Sequence, residues 1–195
     1  MGYAMNQKNL LEVDWSKIPA PSDDGAAAHL VGLTIPEVSL VATDDSTVTL
    51  SALPGRLVVF AYPRTGEPGK ISLVDDWDMI PGARGCTPQT CSFRDLFAEL
   101  KAAGARQVFG LSTQSNAYQT EMASRLHLPF AVLSDARLAL TRALSLPTME
   151  VAGLTLIKRL ALVIDNARIT QVFYPVFPPD RNAADVLAWL KQNPV

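Results

Sequence analysis

The sequence has no excess of positive charge, since 17 Lys and Arg residues stand against 19 Asp and Glu residues in a chain of 195. Proteins that bind nucleic acids need basic patches that neutralise phosphates, so we expect no nucleic-acid partner. Long hydrophobic runs are also missing. The longest apolar stretches, around Leu57–Tyr62 and Leu160–Ile164, are far shorter than the ~18 residues of a membrane-spanning helix, and we expect no membrane association.

Cysteine is scarce as well, with Cys86 and Cys91 the only two in the chain. A chain of this length buries enough apolar surface to fold without a disulfide scaffold. Residues 1–28 show no basic start followed by an apolar block, which a secretory signal would have. We therefore expect a cytoplasmic protein with reduced thiols, in which two cysteines are catalytic or incidental more often than structural.

From residue 29 to residue 195 the pattern predicts one α/β domain with a central mixed sheet flanked by helices. Alternating residues on both sides of the turn at 43–46 predict an N-terminal β-hairpin. Further strands are predicted at 57–62, 108–111, 131–133, 160–164 and 169–173, and helices at 90–103, 117–126, 138–144 and 183–192. Because this order mixes helical crossovers with hairpins, parallel and antiparallel strands are both expected.

Two segments fall outside this pattern. Residues 1–28 have no sustained periodicity, and we expect a surface extension with a short helix near 10–15. Residues 63–85 are rich in glycine and proline and run for over twenty residues without a predicted helix or strand. Loops of compact domains usually have ~4–6 residues, and much longer ones tend to be functional or mobile.

Cys86 directly follows this loop, at the start of a predicted helix. Pro88 suits the first turn of a helix, where its missing N–H is not needed, so we expect the helix to begin around Thr87. The free N–H groups and the positive dipole end of a helix N-terminus stabilise a thiolate. Arg84 and Arg94, which are close in sequence, would have the same effect.

The spacing of the two cysteines limits how they can react. Five residues apart on a continuous helix, their Cα atoms are separated by about 8.6 Å, whereas a disulfide requires about 4.4–6.8 Å. If Cys86 and Cys91 pair, the first turn of the helix must therefore unwind. Two unrelated thiols remain an alternative. A metal site is not predicted, because His29 and His127 lack the spacing of zinc ligands.

The sequence Gly-Cys-Thr-Pro-Gln-Thr-Cys-Ser-Phe-Arg-Asp at residues 85–95 resembles a peroxiredoxin of the Q type, also called bacterioferritin comigratory protein. The likeness extends from about residue 33 to residue 190. It includes the segments at 60–63, 110–113, 133–135 and 159–165. This resemblance implies a thioredoxin-like fold with an inserted active-site loop, a thiol-based reduction of hydroperoxides, and no metal or organic cofactor.

The resemblance also implies roles for the two cysteines. Cys86 matches the peroxidatic cysteine, whose thiolate attacks the O–O bond of hydrogen peroxide or an organic hydroperoxide and becomes a sulfenic acid. Cys91 matches the resolving cysteine, which would form an intramolecular disulfide with it. A thioredoxin or glutaredoxin-like protein would then reduce this disulfide.

Four further residues match positions around the family's site. Arg159 matches the arginine that holds the thiolate and polarises the peroxide, although a solvated strand residue is the alternative. Gln89 falls where the family carries a supporting Glu or Gln. Tyr62 and Pro63 match a pair that shields the pocket, with a simple end of the core strand as the rival interpretation.

The sequence departs from the family at one position. The family places a Thr or Ser three residues before the peroxidatic cysteine, where this chain has Ala83. An insertion at about 66–84 would leave Thr65 as the pocket hydroxyl, with Thr87 as the second choice. The insertion itself is expected to be either a surface loop or a lid over Cys86.

These observations predict a thiol peroxidase that is a monomer or a weak homodimer. Fold alone does not settle function, and the missing Thr or Ser weakens the catalytic interpretation. A redox-sensing or holdase-like interaction protein on the same fold is therefore the alternative function.

Overall fold

A computed structural model describes residues 13–195. Its strands are β1 (Ser39–Ala42), β2 (Thr47–Thr49), β3 (Arg56–Ala61), β4 (Gln107–Ser112), β5 (Val132–Ser134), β6 (Thr148–Val151), β7 (Leu154–Ile157), β8 (Leu160–Asp165) and β9 (Arg168–Phe173). Its α-helices are α1 (Cys86–Asp95), α2 (Phe97–Ala102), α3 (Asn116–Arg125), α4 (Ala139–Leu144) and α5 (Asn182–Gln192). None of the helices within these residues is long and apolar enough to cross a membrane.

Seven strands form one mixed sheet in the order β2-β1-β5-β4-β3-β8-β9. The β3–β4 and β4–β5 pairs are parallel, and the other pairs are antiparallel. Parallel neighbours require crossovers, and α1 with α2 and then α3 supply them, whereas tight turns join β1 to β2 and β8 to β9. The predicted mixed sheet and its N-terminal hairpin are therefore confirmed.

The sheet separates two hydrophobic cores. Strand β3 shows why: its side chains alternate, so that Val58 and Phe60 belong to one core and Leu57, Val59 and Ala61 belong to the other. The first core, which we call the catalytic core, contains both cysteines and side chains of α1, α3 and α5. The second core contains side chains of α4 and of residues 27–35. Helices thus cover both faces of the sheet, as predicted.

Three details differ from the sequence-based expectations. The predicted helix at 90–103 is two helices, because Leu96 leaves the helical conformation at φ −98°, ψ 11° between α1 and α2. Helix α1 begins at Cys86, one residue earlier than the start predicted from Pro88. The hairpin β6–β7 was not predicted; it forms a separate two-stranded sheet.

The described part of the N-terminal extension packs against the domain. A 3₁₀ turn spans Trp15–Lys17 and Asp14 before it is extended, so the short helix expected near 10–15 is absent at residues 13–14, whereas residues 10–12 lie outside the described residues. Farther along, the carboxylate of Asp24 accepts hydrogen bonds from Lys158 Nζ at 2.6 Å and from the Tyr174 hydroxyl at 2.7 Å. These bonds lower the pKa of Asp24, the contact with Lys158 having the larger effect.

Candidate active site

Cys86 is the first residue of α1, and a glycine is needed immediately before it. Gly85 has φ +104°, in the left-handed region that favours glycine. A Cβ atom there would lie 2.6 Å from Cγ of Pro179 and 2.7 Å from Cη2 of Trp15. The start of the helix is therefore closely packed against the N-terminal extension and against the 3₁₀ turn at Pro179–Arg181 that precedes α5.

The guanidinium of Arg159 lies beside the sulfur of Cys86. Arg159 immediately precedes β8, which pairs with β3, and is only 2% exposed. Its Nη2 is 3.3 Å from Cys86 Sγ and donates to the carbonyl oxygens of Gly82, Ala83 and Arg84 at 3.0–3.2 Å. The alternative of a solvated strand residue is thus wrong for Arg159.

No carboxylate within residues 13–195 forms an ion pair with Arg159. Its Nε also has no hydrogen-bond partner there. A buried charge without a counter-charge is costly. The sulfur of Cys86, which is 3% exposed, lies 3.3 Å from this cation.

Gln89 connects this guanidinium to the C-terminal helix. Its Oε1 accepts a hydrogen bond of 2.5 Å from Arg159 Nη1, and its Nε2 donates to Oδ1 of Asn182 at 2.9 Å. Gln89 and Asn182 are 0% and 1% exposed. The family resemblance pointed to Gln89 as a supporting residue of the site, but no motif pointed to Asn182, which lies 93 residues away along the chain.

A small cavity of about 50 Å³ opens onto Cys86. Thr65 and Thr87 both line it, so the structure brings both candidate residues to the cavity at Cys86. Thr65 is buried, and its hydroxyl donates to Oε1 of Gln114 at 3.2 Å. Gln114 also accepts from the Thr65 amide and donates to its carbonyl, and the sequence gave no signal for this role.

Tyr62 and Pro63 are both buried at the end of β3. The Tyr62 hydroxyl donates to Oε1 of Gln119 at 2.9 Å. Burial, and to a smaller extent the nearby Cys86, raises the pKa of Tyr62 well above its usual value. Tyr62 and Pro63 do not line the small cavity itself, and the shielding role that the resemblance implied for them stays a prediction.

Cys91 lies in the same uninterrupted helix as Cys86, and both thiols are free. It is 6% exposed and packs in the catalytic core. Burial raises the pKa of the Cys91 thiol, and Arg94 only partly offsets this. Cys91 is therefore held as a neutral thiol while α1 is intact, at a helical spacing too wide for a disulfide.

The segment inserted at about 66–84 supplies one wall of the cavity. The side chain of Trp77 is nearly buried, lines the cavity, and packs with Val151 and Leu156 of the unpredicted β6–β7 hairpin. In contrast, Ile71 is 96% exposed. The insertion thus combines both expected interpretations, since part of it covers Cys86 and part of it is a surface loop.

Metal ligands do not gather at this site. Within the described part of the chain, no three His, Cys, Asp or Glu side chains lie close enough to hold a metal ion together. The chemistry available here is that of a thiol beside a buried guanidinium, in a cavity with hydroxyl and amide groups.

Comparisons with known proteins agree with this geometry. Residues 30–187 match the Redoxin family. The chain is 30% identical over 177 residues to peroxiredoxin Q from Triticum aestivum, covering 87% of this chain and 73% of that protein. It is 31% identical over 162 residues to peroxiredoxin Q from Oryza sativa subsp. japonica, covering 82% of this chain and 66% of that protein. Both relatives are described as chloroplastic.

Solved structures give the same result. Peroxidoxin BcpB from Mycobacterium tuberculosis superposes with a TM-score of 0.68 at 25% identity, covering 85% of this chain and 98% of that one. Peroxiredoxin Q from Xanthomonas campestris superposes with a TM-score of 0.66 at 25% identity, covering 83% and 96%. The chain therefore belongs to the peroxiredoxins of the Q type, thiol peroxidases with a thioredoxin-like fold.

Proposed function

We propose that Cys86 is the peroxidatic residue and that Cys91 resolves its oxidised form. The Cys86 thiolate attacks one oxygen of a hydroperoxide, the O–O bond breaks, and the other oxygen leaves as water or an alcohol after taking up a proton. Cys86 is thereby oxidised to a sulfenic acid. The Cys91 thiolate then attacks this sulfur, which releases water and forms a disulfide.

The observation that carries this proposal is the buried guanidinium of Arg159, which has no carboxylate partner among residues 13–195 and lies 3.3 Å from the Cys86 sulfur. Before the reaction this guanidinium already lies beside the sulfur that attacks the peroxide. During the reaction it can donate to the peroxide oxygens, on which negative charge develops as the O–O bond breaks. Thr65, at the cavity wall, is proposed to hydrogen-bond the peroxide.

The second step requires a change of conformation. Because α1 is continuous from Cys86 to Cys91, we propose that its first turn unwinds before the disulfide forms. Unwinding also exposes Cys91 to water, where its pKa returns towards the ordinary value of about 8.5 and a larger fraction is reactive thiolate.

The disulfide must be reduced to complete the cycle. We propose a thioredoxin or glutaredoxin-like dithiol protein as the reductant, which becomes oxidised to a disulfide as Cys86 and Cys91 regain their protons. We propose a cytoplasmic location, whose reducing surroundings would keep both thiols available between cycles, whereas the wheat and rice relatives are chloroplastic. A monomer or weak homodimer remains our expectation, which sedimentation or gel filtration would test.

The decisive experiment counts free thiols after one equivalent of peroxide. The parent protein is expected to lose two thiols per chain rapidly, Cys91→Ser one, and Cys86→Ser none. A coupled assay with thioredoxin, its reductase and reduced nicotinamide cofactor should then show turnover of the parent alone. Slow loss of thiols, or loss from Cys86→Ser at the parent rate, would favour the redox-sensing or holdase-like alternative.

A further inference from the structure

The orientation of the Arg159 guanidinium depends on few contacts. Its Nη2 donates hydrogen bonds to the three backbone carbonyls of residues 82–84 and to the Cys86 sulfur. Its Nη1 makes one hydrogen bond, to Oε1 of Gln89, and its Nε makes none within the described residues. The hydrogen bond from Nη1 to Gln89 therefore determines how the guanidinium plane is oriented while Nη2 stays at its acceptors.

Gln89 can perform this role in only one of its two amide orientations. If the amide were rotated by 180°, its NH₂ group would face the guanidinium, and two donors would be opposed. The carbonyl Oδ1 of Asn182, at 2.9 Å from Nε2, selects the productive orientation because it can only accept. Since both residues are buried, bulk water cannot easily replace that acceptor.

Asn182 belongs to a different element from the rest of the site. It is the first residue of α5, directly after the 3₁₀ turn whose Pro179 packs on Gly85. The chain of hydrogen bonds thus runs from the C-terminal helix through Gln89 and Arg159 to the Cys86 sulfur. The 3₁₀ turn before α5 also contacts Gly85, the residue that precedes Cys86.

We propose that Asn182 is a positioning residue for peroxide reduction, which acts by orienting Gln89 and thereby Arg159. The inference rests on the proposed function of Cys86 and Arg159, and it assigns a part in that reaction to the C-terminal helix. Asn182 itself is buried behind Gln89 and does not line the cavity at Cys86.

The test is a double-mutant cycle on the second-order rate constant for oxidation of Cys86 by hydrogen peroxide, measured by stopped flow. Asn182→Ala is expected to lower this constant about tenfold in the parent, the size of an effect from one well-placed hydrogen bond. In the Gln89→Ala background the same substitution should have no further effect, because its target is missing. An equal loss in both backgrounds, or no loss in the parent, would overturn the proposal.

Two further variants separate positioning from general stability. Asn182→Asp retains an acceptor oxygen, and its negative charge is favourable at a helix N-terminus, so it should recover most of the rate. Thr141→Val removes a buried hydrogen bond to Asp135 on the opposite side of the sheet and should lower the melting temperature without changing the rate. Recovery by Asn182→Asp supports the proposal, and a rate as low as that of Asn182→Ala contradicts it.

Separate controls distinguish a failure of the variant to fold, a failure of the proposed function and a failure of the role of Asn182. Should Asn182→Ala not fold, Asn182→Ser takes its place, because serine is favoured near a helix start and its shorter side chain does not reach Gln89. If the parent does not react rapidly with peroxide, the proposed function of Cys86 fails. If the parent reacts rapidly and the Asn182 variants react equally fast, only the role of Asn182 fails.

Discussion

The Nη2 atom of Arg159 lies 3.3 Å from the sulfur of Cys86, and this cation has no carboxylate partner within residues 13–195. We expect Arg159→Lys to slow the oxidation of Cys86 by peroxide about 10²–10³-fold, as the removal of other preorganised donors at a developing negative charge does. A lysine ammonium cannot bridge Gln89 and the sulfur in the fixed planar geometry of a guanidinium. Stopped-flow kinetics with hydrogen peroxide measures this effect.

Arg56→Lys is the matched control. Arg56 is also buried, but it pairs with Asp165 on the neighbouring strand, at 2.7 Å. Its replacement should lower the melting temperature and leave the rate within about threefold of the parent, since the residue does not contact the site. Equal rates for the two lysine variants would show that Arg159 does not act on the sulfur.

Thr65→Val tests which hydroxyl binds the peroxide. The hydrogen of the Thr65 hydroxyl is directed to Gln114, so its oxygen remains free to accept a hydrogen bond from the peroxide. We expect the rate constant for peroxide to fall about tenfold without a loss of folding, as judged by circular dichroism. Thr87→Val is the comparison, and a larger effect there would transfer the role to Thr87.

The disulfide step should depend on pH through Cys91. Burial raises the pKa of the Cys91 thiol in the folded site, and unwinding of α1 returns it to about 8.5. The rate of disulfide formation, followed by acid quenching and thiol alkylation, should therefore increase with pH up to about that value. A rate that is constant between pH 6 and pH 8 would contradict attack by the Cys91 thiolate.

The same shift predicts a change in stability. When folding raises the pKa of a group, its contribution to the free energy of unfolding is complete below the ordinary pKa. This contribution is lost as the pH rises through the raised pKa of the folded state. The free energy of unfolding of the reduced protein should consequently decline above about pH 8.5. Cys91→Ser is expected to show a smaller decline in urea titrations at pH 8 and pH 10.

Trp15→Ala tests the contact between the N-terminal extension and the start of α1. The Trp15 ring packs on Gly85 and its Nε1 donates to Asp180 at 2.9 Å, so the contact favours the wound helix. Its loss should accelerate disulfide formation and reduce overoxidation of Cys86 to the sulfinic acid, which mass spectrometry measures at high peroxide. Trp189→Ala, on α5 beside Arg56, should change neither.

Apolar and turn patterns were sufficient to predict much of the sheet. Strands β3 and β8 are buried apolar segments, and residues 165–168 gave a clear hairpin signal. The β6–β7 hairpin was missed because its strands have four residues each and mixed burial. The break at Leu96 was missed because neither glycine nor proline marks it; the local backbone leaves the helix without a sequence signal.

For the site, local sequence pointed to the cysteines, and the family resemblance pointed to Arg159 and Gln89. The place of Thr65 depends on how the inserted segment folds, which spacing alone cannot determine; in the structure Thr65 lines the cavity at Cys86. Asn182 and Gln114 act through contacts made by distant parts of the chain. Polar residues of this kind have no periodicity or motif, so only the tertiary structure could reveal them.

The division of the hydrophobic interior by the sheet has a consequence for repeated turnover. Both sulfurs lie in the catalytic core, while the opposite core is made of α4, residues 27–35 and the other face of the strands. Unwinding of the first turn of α1 disturbs the packing of the catalytic core only. The opposite core can keep the sheet folded, and the turn can refold against it. In the proposed cycle the start of α1 can therefore unwind and refold at each turnover without unfolding of the whole domain.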